Sequence, residues 1–406
     1  MTPRPSRPSL RTYVRRCAAA FAAVLLASAG CSSEPDQADF HLDTAAWPAG
    51  VSFAAALYQS LAVPMASGHA LERIDNGAVF DSLVAEIAAA RTSIHILVYI
   101  WKPGVASDRI IAALVARNPA AECRILVDAF GSSSFDAESQ APLIKAGCEV
   151  KVFRPLSADD KIARNHRKIV ITDGTAAITG GFGIGDNWLG DGRSEEHWRD
   201  TNVRFRGPAV AQAQQAFAEN WQEAGGGLLP AHAFPPAQPA GPANAAFVTS
   251  TGSPTLTRAE RLTHLLFAAG ERRIWLSSAY FVPPESMLEV LKRKAAAGVD
   301  VRLLTAGRKS DSKAAFSSQQ FDYDELTRHG VRVFEYQPTM MHAKTFVIDD
   351  EIAVVGSQNL DPLSLNTLEE GSLVVEDAAF NAGLAAAFLR DCELSEEVDG
   401  GAQPQK

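Results

Sequence analysis

The stretch 166–173 reads HRKIVITD and the stretch 342–349 reads HAKTFVID, so the pattern His-x-Lys-x4-Asp occurs twice in this chain of 406 residues. Each copy is followed at the same offset by two small residues, Gly180-Gly181 in the first case and Gly356-Ser357 in the second. A single copy could arise by chance, whereas two copies with one spacing indicate an internal duplication. The repeat therefore predicts two similar units that each supply one histidine and one lysine.

Strand and helix patterns alternate in the same order around both copies. In the first half they predict helices over 80–88 and 110–115 and strands over 93–100, 123–127 and 168–172. In the second half they predict strands over 273–276 and 299–304 and helices over 286–297 and 321–329. The order predicts an α/β protein made of two duplicated α/β halves with parallel or mixed sheets. A duplication of this kind favours one active site at the pseudo-twofold interface.

Composition and the positions of Pro- and Gly-rich segments divide the chain further. A content of 47% hydrophobic and 21% charged residues is typical of a globular protein. The predicted divisions are a signal segment (1–30), a tether with a short helix (31–75), the first half (76–226), a Pro/Gly/Ala-rich linker (227–245), the second half (246–396) and a polar tail (397–406).

The N-terminus has the pattern of an export signal. Arginines and no acidic residues precede an apolar run from Cys17 to Leu26, which is too short to cross a bilayer. Small residues then lead into Cys31, as in a bacterial lipoprotein box, although Ser28 stands where such boxes usually have leucine. We expect lipidation of Cys31 in a bacterium and an exported, membrane-associated location at the periplasmic or extracytoplasmic face. A cleaved signal with a chance cysteine, or a short uncleaved anchor, remains open.

Charge and cysteine content limit the possible partners. The formal net charge of -9 disfavours broad binding to nucleic acid, so an anionic substrate needs a local basic patch, for which the stretch 161–168 is the candidate. Beyond the N-terminal segment the cysteines are Cys123, Cys148 and Cys392, which lack metal-ligand spacing. At most one disulfide could form, and buried thiols are the favoured interpretation; no zinc site is expected.

Two histidines and two lysines are suited to attack on a phosphodiester. One neutral imidazole can act as nucleophile while the other, protonated, donates to the departing alcohol. Lys168 and Lys344 would neutralise the charge of the transition state, with Ser357 and Asn359 as further donors.

The repeat resembles the HKD motif of the phospholipase D superfamily, over about residues 76 to 395, and is most similar to bacterial cardiolipin synthases. The resemblance rests on the two motifs and on the segments 127–132, 198–200, 279–283, 335–344 and 356–362. It implies two phospholipase D-like α/β sandwich halves, a covalent phosphohistidine, no cofactor and no metal, since the lysines do what a divalent cation does elsewhere.

The resemblance also implies residue roles. His166 would be the nucleophile and His342 the general acid, which the residues themselves do not distinguish. Asp200 and Glu370 would orient the two histidines. The motif aspartates Asp173 and Asp349, candidate catalytic residues, would orient lysine or backbone, and a role as strand-end turn residues is an equal alternative.

One position departs from the family pattern. Relatives usually have asparagine after the first small pair, whereas this chain has Gly183. Asn187, water or the backbone N–H of Gly183 could supply the missing donor.

The expected function is phosphatidyl transfer: one phosphatidylglycerol is cleaved and the hydroxyl of a second accepts the phosphatidyl group, giving cardiolipin and glycerol. Hydrolysis through the same intermediate is the alternative, followed by a nuclease and by an inactive lipid-binding relative. Transfer requires exclusion of water, to which an apolar lining from Met340 and Met341 could contribute.

Overall fold

The computed structural model describes residues 47–156, 163–253 and 255–399. The predicted signal segment, Cys31 and the end of the polar tail lie outside them. The helices are α1 (Phe53–Leu61), α2 (Ala78–Ala89), α3 (Val105–Val115), α4 (Ala137–Lys145), α5 (Ala209–Glu223), α6 (Arg258–Ala269), α7 (Glu285–Ala296), α8 (Lys313–Gln319), α9 (Tyr323–Arg328), α10 (Pro362–Asn366) and α11 (Ala378–Glu393). In this part of the chain, no helix is both long and apolar enough to cross a membrane.

The strands of the first half are β1 (Ala66–Asp75), β2 (Ser93–Val98), β3 (Glu122–Asp128), β4 (Glu149–Phe153), β5 (Ile169–Thr172), β6 (Ala176–Gly180) and β7 (Thr201–Arg206). Those that follow are β8 (Ala243–Ser250), β9 (Arg273–Ser278), β10 (Asp300–Ala306), β11 (Arg332–Tyr336), β12 (Thr345–Ile348), β13 (Ile352–Gly356), β14 (Glu370–Glu376) and β15 (Ser395–Glu397).

These strands form one mixed sheet in the order β15-β11-β10-β9-β12-β13-β14-β8-β1-β7-β6-β5-β2-β3-β4. In the first half β2, β3 and β4 are parallel, and β5, β6 and β7 continue antiparallel. The second half repeats this with β9, β10 and β11 and then β12, β13 and β14. The predicted duplication of an α/β unit is therefore confirmed.

Strand β1 corrects the prediction of a tether with only a short helix over 31–75. It pairs with β7 on one side and β8 on the other, and so lies at the centre of the sheet. Its sequence, ASGHALERID, lacks clean alternation of apolar and polar residues. Pairing on both edges, which the local pattern does not reveal, makes it a strand. Strand β8 likewise begins at Ala243, inside the predicted linker.

Side chains from both halves form the central core. This cluster contains Phe217 of α5, Phe388 of α11, and both Met340 and Met341. The methionines are 1% and 0% exposed, so they pack in the core between the halves rather than presenting an apolar lining to a substrate.

Cys123 and Cys148 form a disulfide, whereas Cys392 is free. The expectation of buried thiols was wrong for the first two. Cys123 lies at the start of β3 and Cys148 immediately before the parallel neighbour β4, and this pairing brings their Cα atoms to 4.6 Å.

The predicted helix over 321–329 is shorter than expected, because α8 ends at Gln319 and a 3-10 turn over Gln320–Asp322 precedes α9. The strands of the two motifs also begin later than expected. They start at Ile169 and Thr345, so each motif histidine and lysine precedes its strand.

Candidate active site

The two histidines meet where the halves join, and the backbone of the opposite half holds each one. The His166 N–H donates to the carbonyl of Glu369 at 2.8 Å, and the His342 N–H donates to that of Arg199 at 2.7 Å. Each histidine therefore precedes its own strand but is aligned by a segment of the other half. Both are buried, at 8% and 7% exposure.

The carboxylate beside each imidazole also comes from the opposite half. Nδ1 of His166 lies 2.8 Å from Oε1 of Glu370. Nδ1 of His342 lies 3.4 Å from Oδ2 of Asp200. A carboxylate at Nδ1 favours the tautomer with the proton on that nitrogen and leaves Nε2 for chemistry. The structure thus brings together the two predicted histidine–carboxylate pairs in a crossed arrangement.

Glu370 is held on both carboxylate oxygens. The hydroxyl of Ser357 donates to one oxygen and that of Ser364 to the other. Burial disfavours the charged form, but His166 and its hydrogen bond hold the pKa of Glu370 below its usual value. Burial lowers the pKa of His166 to about 4, despite the opposing charge of Glu370. A neutral imidazole next to an ionised carboxylate is the state that a nucleophile needs.

The second pair has a different environment. Burial raises the pKa of Asp200 to about 6. The indole N–H of Trp188 donates to Oδ2 of this carboxylate at 2.9 Å. The rings of Trp188 and Trp198 lie 5.3 Å and 5.1 Å from the imidazole of His342. Burial, with the charges of the two motif lysines, lowers the pKa of His342 well below its usual value.

The motif lysines are buried beside their histidines. Lys168 and Lys344 are 2% and 1% exposed, and each ammonium donates to the carbonyl of its own histidine. Burial lowers the pKa of Lys168 well below its usual value and that of Lys344 to about 8. A bound phosphodiester anion would raise both pKa values, because it favours the charged ammonium. The lysines are thus placed to respond to an anionic substrate.

The motif aspartates do not lie at the site. Asp173 accepts the backbone N–H groups of Arg91, Thr92 and Ser93, at the start of β2. Asp349 does the same at the start of β9. Each aspartate follows its lysine by five positions, about 16 Å along an extended strand. Both have a left-handed backbone, with φ of 54° and 46°, as is typical of aspartates in strand-end turns.

Trp188 explains the glycine that departs from the family pattern. A Cβ at Gly183 would lie 2.7 Å from the indole of Trp188, so the indole occupies the space of an asparagine side chain. The indole N–H of Trp188 donates to Asp200, and the substitute for the missing donor, whether Asn187, water or the Gly183 backbone, stays a prediction. In the second half Asn359 is retained, and its Oδ1 is buried with no hydrogen-bond partner within the described residues.

The predicted basic patch over 161–168 is largely neutralised. Arg164 is buried and donates to Asp128 at 3.1 Å, and Nη1 of the buried Arg167 guanidinium lies 3.7 Å from Oε2 of Glu369. Lys161 lies outside the described residues. Motif spacing does not reveal these partners, because they come from other strands and helices.

A fold of two such halves sharing a pair of crossed histidine–carboxylate contacts defines a phospholipase D-type enzyme. The family model described as "Cardiolipin synthase, PLD-like domain" matches residues 83–221 and 262–392. The chain belongs to this cardiolipin synthase family, and it is a phosphatidyltransferase of the cardiolipin synthase type.

Individual relatives agree with this assignment. Cardiolipin synthase A of Pseudomonas putida (strain W619) is 32% identical over 335 residues, which cover 80% of this chain and 68% of the relative. Cardiolipin synthase 1 of Bacillus cereus is 29% identical over 350 residues, covering 82% and 69%. The crystal structure of phosphatidylserine synthase from Haemophilus influenzae Rd KW20 shares the fold, with a TM-score of 0.66 and 13% identity over 84% of this chain and 91% of that one.

Proposed function

We propose that this enzyme transfers the phosphatidyl group of one phosphatidylglycerol to a hydroxyl of a second, forming cardiolipin and releasing glycerol. The observation that carries the proposal is the crossed pair of histidines, each next to a carboxylate of the other half. Two imidazoles held in this way can divide nucleophilic and acid–base work.

In the first step Nε2 of His166 attacks phosphorus, and a P–N bond forms as the P–O bond to glycerol breaks. His342, protonated while the anionic substrate is bound, donates its proton to the departing oxygen. The fixed contact of His166 with Glu370, at 2.8 Å, favours His166 as the nucleophile. Lys168 and Lys344 stabilise the charge on the non-bridging oxygens.

In the second step the neutral His342 accepts the proton of the incoming hydroxyl. The acceptor oxygen bonds to phosphorus and the P–N bond to His166 breaks, which regenerates both imidazoles. If water is the acceptor the product is phosphatidic acid, so the outcome depends on which hydroxyl the site holds.

Lipid mass spectrometry of the purified protein with phosphatidylglycerol vesicles tests this proposal. We expect the wild type to form cardiolipin with one glycerol per turnover, and neither His166→Ala nor His342→Ala to do so. A phosphohistidine that accumulates in His342→Ala with an activated leaving group would support the assigned roles. Phosphatidic acid as the sole product would replace transfer by hydrolysis.

We also propose that the enzyme is exported, lipid-anchored through Cys31 and acts at a membrane surface, with no nucleic-acid partner. The Cys123–Cys148 disulfide fits an oxidising compartment. Metabolic labelling with palmitate in the native bacterium tests the anchor. Label that persists in Cys31→Ala would refute lipidation at this residue.

A further inference from the structure

Tyr280 and Asp311 form a polar pair on the side of the second motif. The Tyr280 hydroxyl donates to Oδ1 of Asp311 at 2.7 Å. Tyr280 lies two residues after β9, is half-buried and packs against the central core, whereas Asp311 is exposed. A tyrosine fixed by packing thus orients a carboxylate that solvent or a ligand can reach. Within the described residues, Oδ2 of Asp311 has no hydrogen bond or ion pair.

The loop that carries Asp311 runs beside the second motif. It follows β10, and Lys309 anchors it through its ammonium, which donates to the carbonyl of Pro338 at 3.0 Å. Pro338 precedes His342 by four residues. Burial lowers the pKa of His342 and of Lys344, and the negative charge of Asp311 opposes this shift at both groups. The charge of Asp311 therefore acts on the side of the site that holds the histidine that we assign to proton transfer.

At the matching positions of the first half, which the structure describes, there is no equivalent pair. Ser93 of β2 pairs with Glu122 of β3, and in the second half Arg273 of β9 pairs with Asp300 of β10. Ser93 therefore corresponds to Arg273, and Glu122 corresponds to Asp300. By this register, Ile100 occupies the position of Tyr280, and Ser133 occupies that of Asp311. Neither can reproduce a tyrosine–carboxylate contact. The pair is therefore a feature of one side of the site alone, as expected if the two sides treat different hydroxyl groups.

We propose that Asp311, oriented by Tyr280, is a binding subsite for the head group of the incoming acceptor and recognises a polyol with neighbouring hydroxyls. This inference rests on the proposed transfer function and specifies its acceptor. A carboxylate accepts a hydrogen bond from a second hydroxyl of the acceptor, which water lacks. The reacting primary hydroxyl is then held between His342 and the phosphorus.

The chemistry is unchanged by this contact. The primary hydroxyl still gives its proton to His342, its oxygen bonds to phosphorus, and the bond from phosphorus to His166 breaks. Asp311 contributes only a hydrogen bond to the neighbouring hydroxyl. Its effect should consequently appear in the choice of acceptor and in the acceptor KM, with the cleavage step left intact.

The test uses Asp311→Asn and Tyr280→Phe in the full-length protein. Phosphatidylglycerol vesicles are supplied with deuterated glycerol or 1-propanol, and the exchange and hydrolysis products are counted by mass spectrometry. We expect the wild type to prefer glycerol to 1-propanol. Asp311→Asn should lose roughly tenfold to a hundredfold of that preference, with more phosphatidic acid per turnover. Tyr280→Phe should lose less.

Glu393→Gln is the matched control, because Glu393 is an exposed carboxylate at the end of α11 and the change in charge is the same. Its product ratio should equal that of the wild type. The subsite is refuted if the wild type does not distinguish the two alcohols, or if Asp311→Asn keeps the wild-type ratio while cardiolipin forms. A wild type that produces neither cardiolipin nor exchange product would refute the proposed function, and the acceptor subsite with it.

Discussion

His166 and His342 occupy corresponding positions in the two halves but are held by unlike partners. His166 contacts a glutamate at 2.8 Å whose oxygens accept from two serines. His342 lies 3.4 Å from an aspartate, next to two tryptophan rings. The duplication has kept the reactive groups and changed what surrounds them. The first histidine has the more polar environment.

The difference extends to the residues behind each motif. By strand register, Asp128 at the end of β3 corresponds to Ala306 at the end of β10. Arg164 and Met340 each precede their histidine by two residues. The first half therefore has a buried Asp128–Arg164 ion pair where the second has a methionine and an alanine. A buried ion pair thus lies behind the first motif, and apolar side chains lie behind the second.

The largest expected effect is the loss of turnover when the carboxylates beside the histidines are replaced by amides, and it should differ between the two. Glu370→Gln should lower kcat on the order of 10³- to 10⁴-fold, because an amide cannot fix the same imidazole tautomer or stabilise its charge. Asp200→Asn should cost about tenfold to a hundredfold, because its contact with His342 is longer and its pKa is already about 6. Steady-state turnover of phosphatidylglycerol measures both.

Glu376→Gln is the control for Glu370→Gln, since it makes the same change at the other end of β14. It should retain wild-type turnover. Equal losses in Glu370→Gln and Asp200→Asn would show that the two histidines are equally dependent on their carboxylates, and the asymmetry would then have no catalytic meaning.

The next effect concerns the indole beside Asp200. Trp188→Phe keeps an aromatic ring but removes the N–H that donates to Asp200 at 2.9 Å. Loss of a donor to the charged form should raise the pKa of Asp200 above its present value of about 6. Activity should therefore fall by roughly tenfold at pH 6 and less at pH 8, because more Asp200 is protonated at low pH. A pH–rate profile of kcat checks this.

A merely structural role for Trp188 would give another result. The melting temperature would fall and kcat would drop by the same factor at every pH. If kcat of a folded Trp188→Phe variant falls at the same low pH as in the wild type, the positioning role is contradicted.

The two motifs were sufficient to predict the duplicated fold and the histidines and lysines that meet where the halves join. His-x-Lys spacing is local, and the apolar stretches after it predict strands without tertiary information. The carboxylates Asp200 and Glu370 came from the family resemblance, because they are far from the motifs in sequence. That they cross between halves depends on the pairing of Asn165 with Glu369 and of Arg199 with Met341.

Tertiary context decided the features that the sequence missed. Strand β1 lacks an alternating pattern and is specified by its two neighbours. Trp188 lies five residues from Gly183 in a 3-10 turn, and no spacing rule connects an indole to a glycine. The disulfide depends on β3 and β4 being adjacent and parallel, which a cysteine count cannot establish.

A third prediction concerns Gly183, which departs from the family pattern. Gly183→Asn restores the usual residue of relatives but should not raise activity, because its Cβ would lie 2.7 Å from the Trp188 ring. Trp188 is 1% exposed and has little room to move, so we expect a loss of about 1–3 kcal/mol of unfolding free energy. Denaturant unfolding measures it.

Gly185→Ala is the matched control, because the nearest atom to its new Cβ is a Trp188 carbon at 3.6 Å, an ordinary contact. Combining Gly183→Asn with Trp188→Phe should recover part of the lost stability, since the smaller ring relieves the clash. A stable and more active Gly183→Asn would mean that the indole does not replace the asparagine.

The smallest expected effect lies away from the site, at corresponding residues of β3 and β10. Glu122 faces His95 at 3.4 Å, whereas at the matching positions the Trp275 indole donates to Asp300 at 3.0 Å. Burial opposes the charged form of Glu122, but His95 and Arg124 outweigh it and lower its pKa to about 2. A carboxylate whose pKa is lowered by folding stabilises the folded state at pH values above its unfolded-state pKa. This stability is lost as the pH falls through the folded-state pKa.

Glu122→Gln should therefore cost about 1 kcal/mol of unfolding free energy at pH 7, after allowance for the partial exposure of Glu122, and less than half of that at pH 3. Asp300→Asn should cost less at pH 7, because an amide oxygen also accepts from the indole of Trp275 and the indole does not titrate. Denaturant unfolding of both variants at the two pH values compares them. A cost for Glu122→Gln that is the same at pH 7 and pH 3 would contradict the ionic character of the Glu122–His95 contact. The two halves would then be equivalent in this contact.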